Sequence, residues 1–498
     1  MRTFFRSSYT SLVCALAVGL QACGDGLPQV EEGQQPPVAP AAVVSQALQS
    51  GALDDTQDIL TALQAIPGLT VVREGPTRFP GTRFFVLSYD QPVDHKRPEV
   101  RRFQQRITLL HRSTQAPMVL ASSGYGIGTS STQFEPTALL QANQLLVEHR
   151  FFAPSSPQPA TYEHLNLEQA AADHHRIVKA FKALYGGKWV STGGSKGGMT
   201  SIYHRALFPR DVDATVAYVA PNSYGPKDPR YIQFLSRVGD AACRERIKAF
   251  QRDVLARRDE LTPLVVESVT AQGLSLDFLG ADKALEFAVL ELPFSFFQYT
   301  PVEFCTFVPS PGAPTPEVME AMEGIVGFSN FTDPVLDYYA PYYFQAATQL
   351  GSYRSDERHL RDLVQYPGQY VARNMVPFSM EGYDFNYWSM PLIEAWVKAL
   401  GERILLVYGE NDPWSTGAFE VRQRNDSYRF FVPGGTHGSS ISSLPEADRA
   451  VALERLATWA GVSPAAQEQV SLKARALAAG QEPFDPIAHD RRKRPLME

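Results

Sequence analysis

The stretch KWVSTGGSKGGMTSIYHRALFP (Lys188–Pro209) decides the fold prediction. A short apolar strand, Trp189–Thr192, enters a glycine-rich turn around Ser195, and the turn opens a helix that we expect to reach about Leu207. The pattern Gly-x-Ser-x-Gly between a strand and a helix is typical of a nucleophile elbow. Such a turn strains the serine backbone, so its neighbours must lack side chains. The sequence therefore predicts a nucleophilic Ser195, with a purely structural turn as the alternative.

A serine hydroxyl becomes a good nucleophile only when a base accepts its proton. Two later loops supply an acid and a base in the required chain order. Asp412 follows the predicted strand Ile404–Tyr408, and His437 follows the predicted strand Arg429–Val432. We expect His437 to act as general base and then as general acid, and Asp412 to orient the imidazole and stabilise its charged form.

Two other acids lie near the proposed Asp412. Glu410 follows its strand too closely, and Asp426 precedes its strand, so both are weaker candidates. The oxyanion hole should use the backbone N–H of the residue after the nucleophile and one N–H from an earlier loop. These requirements select Lys196 and, in the segment SSGYG, either Gly124 or Tyr125.

Strands alternate with helices over much of the chain, which predicts a parallel sheet flanked by helices. Between about Gly225 and Leu400 the alternation stops, and the sequence is helix-like and rich in aromatic residues. It resumes at Arg403 and ends with a predicted helix, Pro445–Gly461. The predicted fold is α/β, an α/β-hydrolase fold with a mostly parallel central sheet and a large inserted helical lid. The predicted parts are a signal peptide at 1–22, a tether at 23–50, the hydrolase core at 51–224 and 401–470, the lid at 225–400 and a tail at 471–498.

The N-terminus has the pattern of an export signal. Arg2 and Arg6 precede the apolar run Leu12–Leu20, which is too short to span a bilayer. The run ends in Leu20-Gln21-Ala22-Cys23, which resembles a bacterial lipobox and implies lipid attachment to Cys23. Simple secretion is the alternative. The Gly, Gln, Pro and Ala composition that follows indicates a flexible tether.

Four cysteines are present, and only Cys243 and Cys305 remain after Cys14 and Cys23 are assigned to the signal and the lipid. An exported protein lies in an oxidising compartment, so we expect a disulfide between them. Two buried free thiols are the alternative.

Several classes of function are disfavoured by composition and motif. The net charge is −7, which argues against nucleic-acid binding, and the basic run at 491–494 is interpreted as a solvated tail. The sequence has no phosphate-binding or dinucleotide motif, so no cofactor is expected. Asp173-His174-His175 looks metal-like, but adjacent histidines on a helix point about 100° apart. We interpret them as polar helix positions and expect no metal.

Three segments resemble one family of enzymes. They are VEHRFFAPSSP (Val147–Pro157), GGSKGGMTSIYHRALFP (Gly193–Pro209) and VAPNSYG (Val219–Gly225). Together with the helical lid they resemble the secreted bacterial tripeptidyl aminopeptidases, which include prolyl tri- and tetrapeptidyl aminopeptidases. They resemble the lysosomal prolylcarboxypeptidase-type enzymes more distantly. The resemblance extends from about Phe79 to Gly461.

The resemblance implies a serine peptidase that releases tri- or tetrapeptides from free N-termini, often after proline. The family's triad carries over to Ser195, Asp412 and His437. The expected partners are peptide substrates and, through the lipid anchor, a membrane surface; the expected location is periplasmic or cell-surface, or secreted. A lipase or esterase of the same fold, and a surface-anchored binding protein with an inactive site, remain alternatives because fold and triad do not choose a substrate.

An enzyme that releases short peptides must measure distance from the chain end. A buried carboxylate that pairs with the substrate's ammonium, roughly 10 Å from the nucleophile for a tripeptide, would serve. Glu291 in VLELPFSFF and Glu303 in TPVEFCTF are the two lid carboxylates embedded in apolar sequence. Each could instead be a surface residue or a partner of a lid arginine.

Overall fold

The computed structural model describes residues 58–463. The predicted signal peptide, the lipid-bearing Cys23, the tether and the C-terminal tail all lie outside the described residues. Among the described helices, none is both long and apolar enough to cross a membrane.

A nine-stranded sheet forms the centre of the described structure. Its strands lie in the order β1-β2-β3-β5-β4-β6-β7-β8-β9. The first three pairings are antiparallel, and every pairing from β5 onward is parallel. The strands are β1 Leu69–Gly75, β2 Arg83–Pro92, β3 Arg102–His111, β4 Met118–Ser122, β5 Asn143–Val147, β6 Trp189–Gly194, β7 Ala214–Tyr218, β8 Ile404–Gly409 and β9 Tyr428–Val432.

The five central strands, β4 to β8, are buried at every residue. This is the pattern of a parallel sheet covered on both faces. Helices provide the cover, packing their apolar faces against the sheet. The helices outside the β7–β8 segment are α1 Ile59–Gln64, α2 Glu135–Leu140, α3 Leu167–Lys182, α4 Lys196–Leu207 and α12 Glu446–Trp459.

The segment between β7 and β8, which corresponds to the predicted lid, consists mainly of helices. A hydrophobic core of its own runs through it, from Val238 to Met375, and includes both cysteines of the disulfide. The last helix differs, because its residues Ile393 and Val397 pack with the sheet-flanking core instead. The helices are α5 Arg230–Leu235, α6 Ala241–Ala256, α7 Arg258–Thr270, α8 Ala281–Tyr299, α9 Thr315–Ile325, α10 Asp333–Gln345 and α11 Ser389–Leu400.

The parallel sheet and the helical segment between β7 and β8 confirm the predicted fold class, the α/β-hydrolase fold. The loops after β4, β6, β8 and β9 all leave the same edge of the sheet, since these strands are parallel. Ligands of open α/β sheets bind at this carboxyl edge.

Candidate active site

Ser195 lies at the sharp turn between β6 and α4. Its backbone has φ 52° and ψ −125°, a conformation that is rare for any residue other than glycine. Two backbone bonds hold the turn: the Ser195 N–H donates to the Tyr218 carbonyl (2.9 Å), and the Ser195 carbonyl accepts from the Met199 N–H (2.9 Å). The strained serine predicted from the sequence is therefore present.

The glycines around Ser195 are required by close backbone contacts. A Cβ added to Gly197 would lie 2.2 Å from the Ser122 carbonyl oxygen. One added to Gly193 would lie 2.4 Å from the Gly197 carbonyl, and one on Gly198 2.8 Å from the Ala220 Cβ. Contacts this short do not occur for real Cβ atoms, so strand, elbow and helix pack this closely only with glycine.

Asp412 and His437 form a buried pair. The Nδ1 atom of His437 lies 2.6 Å from Oδ2 of Asp412, and both side chains are fully buried. The other carboxylate oxygen accepts from the Trp414 N–H (3.0 Å), which fixes its orientation. Burial raises the pKa of Asp412, while the contact with His437 acts in the opposite direction.

The last turn of α8 in the helical segment contacts the His437 loop directly. The His437 N–H donates to the Gln298 carbonyl (2.8 Å), and the Tyr299 ring lies edge-on to the imidazole at 6.1 Å. The remaining ring nitrogen, Nε2, is buried and has no hydrogen-bond partner among residues 58–463. The structure therefore does not hydrogen-bond His437 to Ser195, although apo sites often have long contacts that tighten with substrate.

The two other acids bind elsewhere. Glu410 is exposed and accepts from the Gly434 N–H (2.9 Å), and Asp426 accepts from the Trp459 indole N–H (2.6 Å). Neither of these bonds involves His437.

The loop after β4 lies against the N-terminus of α4. A Cβ added to Gly124, whose φ is +77°, would lie 2.5 Å from the Gly197 nitrogen and 2.7 Å from the Lys196 carbonyl carbon. The Tyr125 N–H already donates to Ser123 Oγ (3.0 Å). Of the two candidates that the sequence left open, Gly124 is therefore the better candidate for the oxyanion hole, because the Tyr125 N–H already has a partner.

Glu148, His149 and Arg150 follow β5 directly, and no functional role was predicted for them from the sequence. The structure buries all three side chains. Glu148 accepts from the Ile127 N–H (2.9 Å) and from the Ser155 hydroxyl (2.5 Å), which ties the loop after β4 to the end of β5. Burial raises the pKa of Glu148 to about 7, although these hydrogen bonds oppose the shift. Three adjacent polar residues directly after a buried strand were the available signal.

The metal-like triplet on α3 binds protein groups. Asp173 pairs with Arg150 through two bonds of 2.7 Å, and His174 lies 2.9 Å from the Ser122 hydroxyl. His175 lies 2.8 Å from Asp211. Asp173 and His174 are buried because α3 packs against the sheet and α4, whereas His175 is half-buried.

The two lid carboxylates have different surroundings. Glu291 is half-buried on α8 and accepts from the hydroxyls of Ser295 (2.9 Å), Tyr370 (2.6 Å) and Tyr353. Glu303 is exposed on a short 3₁₀ helix, Val302–Phe307. Of the two carboxylates, only Glu291 is partly removed from solvent, and side chains of the helical segment hold it in place.

Cys243 and Cys305 form a disulfide, as predicted, with their Cα atoms 5.6 Å apart. It joins α6 to the 3₁₀ helix that carries Glu303. The bond therefore crosslinks the helical segment and does not touch the sheet.

A strained serine elbow, a buried histidine–carboxylate pair and a parallel sheet that presents both at one edge define a hydrolase of the α/β-hydrolase class. A family model described as PS-10 peptidase S37 matches residues 52–495. The chain belongs to this family, and it is a peptidase. This confirms the family resemblance found in the sequence.

A curated relative and two solved structures illustrate the similarity. The prolyl tri/tetrapeptidyl aminopeptidase of Streptomyces mobaraensis is 41% identical over 440 residues, which cover 87% of this chain and 91% of the relative. Homoserine O-acetyltransferase from Staphylococcus aureus is 13% identical, with a TM-score of 0.36 over 82% of this chain and 99% of its own. A peroxisomal alpha-beta-hydrolase from Saccharomyces cerevisiae is 11% identical, with a TM-score of 0.33; the match covers 84% of this chain and 100% of the yeast chain. The family assignment depends on the sequence matches and not on these structures.

Proposed function

We propose that this chain is a serine peptidase that cleaves through Ser195, His437 and Asp412 and releases tri- or tetrapeptides from free N-termini. The observation that carries the proposal is the buried pair of His437 and Asp412. In the described structure, the Nε2 atom of His437, on the side of the ring away from Asp412, has no hydrogen-bond partner. A nitrogen in that state can accept the proton of a serine hydroxyl.

The proposed reaction uses these groups in order. Asp412 holds Nδ1, so the neutral imidazole presents Nε2 as the base. His437 takes the hydroxyl proton as Ser195 attacks the scissile carbonyl, and it then returns the proton to the leaving amine. The oxyanion of the tetrahedral intermediate accepts from the N–H groups of Lys196 and Gly124. Water then hydrolyses the acyl-enzyme with the same base.

Glu291 is the group that we assign to the free N-terminus of the substrate. Three hydroxyl donors hold its carboxylate in place within the helical segment. Burial and, secondarily, the charge of Glu291 raise the pKa of Tyr342. The Tyr342 ring in turn lies 5.7 Å from the Tyr125 ring of the proposed oxyanion loop. The Tyr342 ring therefore brings the helical segment that carries Glu291 into contact with the loop that follows β4.

The experiment compares kcat/KM for a tripeptide amide and for its N-acetylated form. In wild type we expect a strong preference for the free amine. Glu291→Gln should reduce kcat/KM for the free amine by about 30-fold or more, the cost of leaving a buried ammonium unpaired, and should leave the acetylated peptide unchanged. Glu303→Gln is the matched control and should behave as wild type, because Glu303 is exposed. If Glu291→Gln keeps the full preference for the free amine, this assignment is wrong.

A preference for proline at P1 is supported by the aromatic residues at the oxyanion loop. The rings of Tyr339 and Tyr342 on α10 lie 5.8 and 5.7 Å from the Tyr125 ring. The P1 side chain is bonded to the carbon next to the reacting carbonyl, so it must lie beside the oxyanion loop. An apolar five-membered ring fits such aromatic walls.

Two alternatives from the sequence were an esterase of the same fold and a binding protein with an inactive site. The family match favours a peptidase over both. The relative from Streptomyces mobaraensis is named prolyl tri/tetrapeptidyl aminopeptidase, which supports the same substrate class for this chain.

We also propose that the chain is exported and anchored to a membrane through a lipid on Cys23. The disulfide between Cys243 and Cys305 supports an oxidising compartment. Metabolic labelling with a radioactive fatty acid should mark the wild type and not Cys23→Ser. Equal labelling of both proteins would exclude Cys23 as the lipid site, and no labelling of either would favour simple secretion.

A further inference from the structure

A lysine follows the proposed nucleophile, and its side chain is buried. Lys196 is only 2% exposed. Its Nζ donates to the carbonyl oxygen of Gly124 at 2.5 Å and lies over the rings of Tyr125 (5.6 Å) and Phe152 (5.7 Å). No carboxylate of residues 58–463 lies within salt-bridge distance of it.

A buried amine without a carboxylate is costly, since an apolar side chain of the same length would fill the space without losing hydration. Burial also lowers the pKa of Lys196 well below its ordinary value. Among residues 58–463, the hydrogen bond to the Gly124 carbonyl is the one polar contact of Lys196 Nζ. We therefore look to this bond for the role of the buried amine.

Gly124 is held against the start of α4 on two sides. Its Cα approaches the Lys196–Gly197 peptide so closely that a side chain could not fit. Its carbonyl is held from the other side by Lys196 Nζ. Gly124 has a φ of +77°, and with its carbonyl hydrogen-bonded and its Cα packed against the Lys196–Gly197 peptide it has little freedom to rotate.

The other hydrogen bonds of this loop do not replace the bond from Lys196 Nζ to the Gly124 carbonyl. The His149 N–H donates to the Tyr125 carbonyl (3.0 Å). The Ile127 N–H donates to the Glu148 carboxylate, and the Ile127 carbonyl accepts from the Arg106 guanidinium (3.0 Å). They anchor the loop one to three residues beyond Gly124. The Gly124 carbonyl itself is held by Lys196.

We propose that Lys196 is the positioning residue of the oxyanion hole. Its backbone N–H supplies one donor, and its side chain orients Gly124 so that the Gly124 N–H supplies the other. One residue thereby sets both halves of the hole in a fixed mutual geometry. The proposal rests on the proposed function, because it takes Ser195 as the nucleophile.

The test replaces the amine by an apolar group of similar length, Lys196→Met. We expect kcat to fall by about 100-fold, the scale of losing one oxyanion donor. We expect KM to stay within about 3-fold, because the ground-state carbonyl uses the hole weakly. The thermal midpoint should stay equal or rise, since the buried amine is gone. Ser201→Ala is the matched control: it removes another buried polar group of α4, which bonds the Gly197 carbonyl (3.1 Å), and should leave kcat unchanged.

A second measurement separates positioning from general damage. A peptide boronate, which mimics the tetrahedral intermediate, should lose affinity for Lys196→Met in proportion to kcat, while the product tripeptide should bind as to wild type. In Lys196→Gln the side chain keeps a donor but is too short to reach the Gly124 carbonyl. It should also lose affinity for the boronate and keep affinity for the product, so it can replace the methionine variant if that variant does not fold.

Two outcomes overturn the proposal. One is a kcat of Lys196→Met within about 3-fold of wild type. The other is that Lys196→Met has a lower thermal midpoint and loses affinity for the boronate and for the product equally. The parallel variant Ser195→Ala keeps the two proposals distinguishable. If Ser195→Ala retains activity, the proposed nucleophile is wrong; if Ser195→Ala is inactive and Lys196→Met is fully active, only the positioning role fails.

Discussion

Replacing Ser195 with alanine is expected to lower kcat by about 10⁴-fold or more, because no acyl-enzyme can form without the hydroxyl. The thermal midpoint should not fall. Ser195 Oγ caps no helix, as the N-terminus of α4 has no side-chain hydrogen bond from it. The loss should therefore appear in kcat for every peptide tested. A fluorophosphonate should label the wild type and not the variant.

Full turnover by Ser195→Ala would show that the elbow is a structural turn. A parallel loss of kcat and thermal stability would show damage to the turn, since Ser195 has a positive φ that alanine also tolerates poorly. Ser195→Gly, which relieves that strain, is then the variant to measure. It should be equally inactive and at least as stable as wild type.

Replacing Asp412 with asparagine is expected to lower kcat by about 10⁴-fold while the fold is kept. The carboxylate accepts from His437 Nδ1 and from the Trp414 N–H. An amide in its place can turn its nitrogen towards His437, which would favour the wrong tautomer and leave Nε2 protonated. The base would then be lost although the geometry is nearly unchanged.

Glu410→Gln is the matched control for Asp412→Asn, because Glu410 lies two residues away on the same loop but is exposed and bonded to Gly434. It should keep kcat within about 3-fold of wild type. If Glu410→Gln loses activity and Asp412→Asn does not, the acid of the site has been assigned to the wrong residue.

Strands and helices were predicted well from the sequence where the apolar pattern was regular and glycines marked their ends. The strands and helices around Ser195 match the structure to within a few residues, since an apolar run between glycines leaves few choices. The first strand, Leu69–Gly75, and the short helix before it were not predicted. A β-bulge between Val71 and Arg73 breaks the alternation of that strand, and a six-residue helix carries too little periodicity to recognise.

The pair Asp412 and His437 could be predicted because each follows a strand at the carboxyl edge of the sheet. The surroundings of Glu291 could not be predicted. Its donors Tyr353 and Tyr370 lie 62 and 79 residues away in the chain. They meet Glu291 only through packing of the helical segment, which no local pattern records. The bond from Lys196 to Gly124 spans 72 residues and was missed for the same reason.

One measurement tests the central claim most directly: labelling by a free-amine tripeptidyl phosphonate with proline at P1, followed by trypsin digestion and mass spectrometry. We predict one adduct, on Ser195 within the tryptic peptide Trp189–Lys196, and fragmentation should distinguish it from Ser191 and Thr192. We also expect the N-acetylated phosphonate to label far more slowly, since it lacks the ammonium that we assign to Glu291. An adduct on another residue would contradict the nucleophile, and equal labelling by both phosphonates would contradict recognition of the free N-terminus.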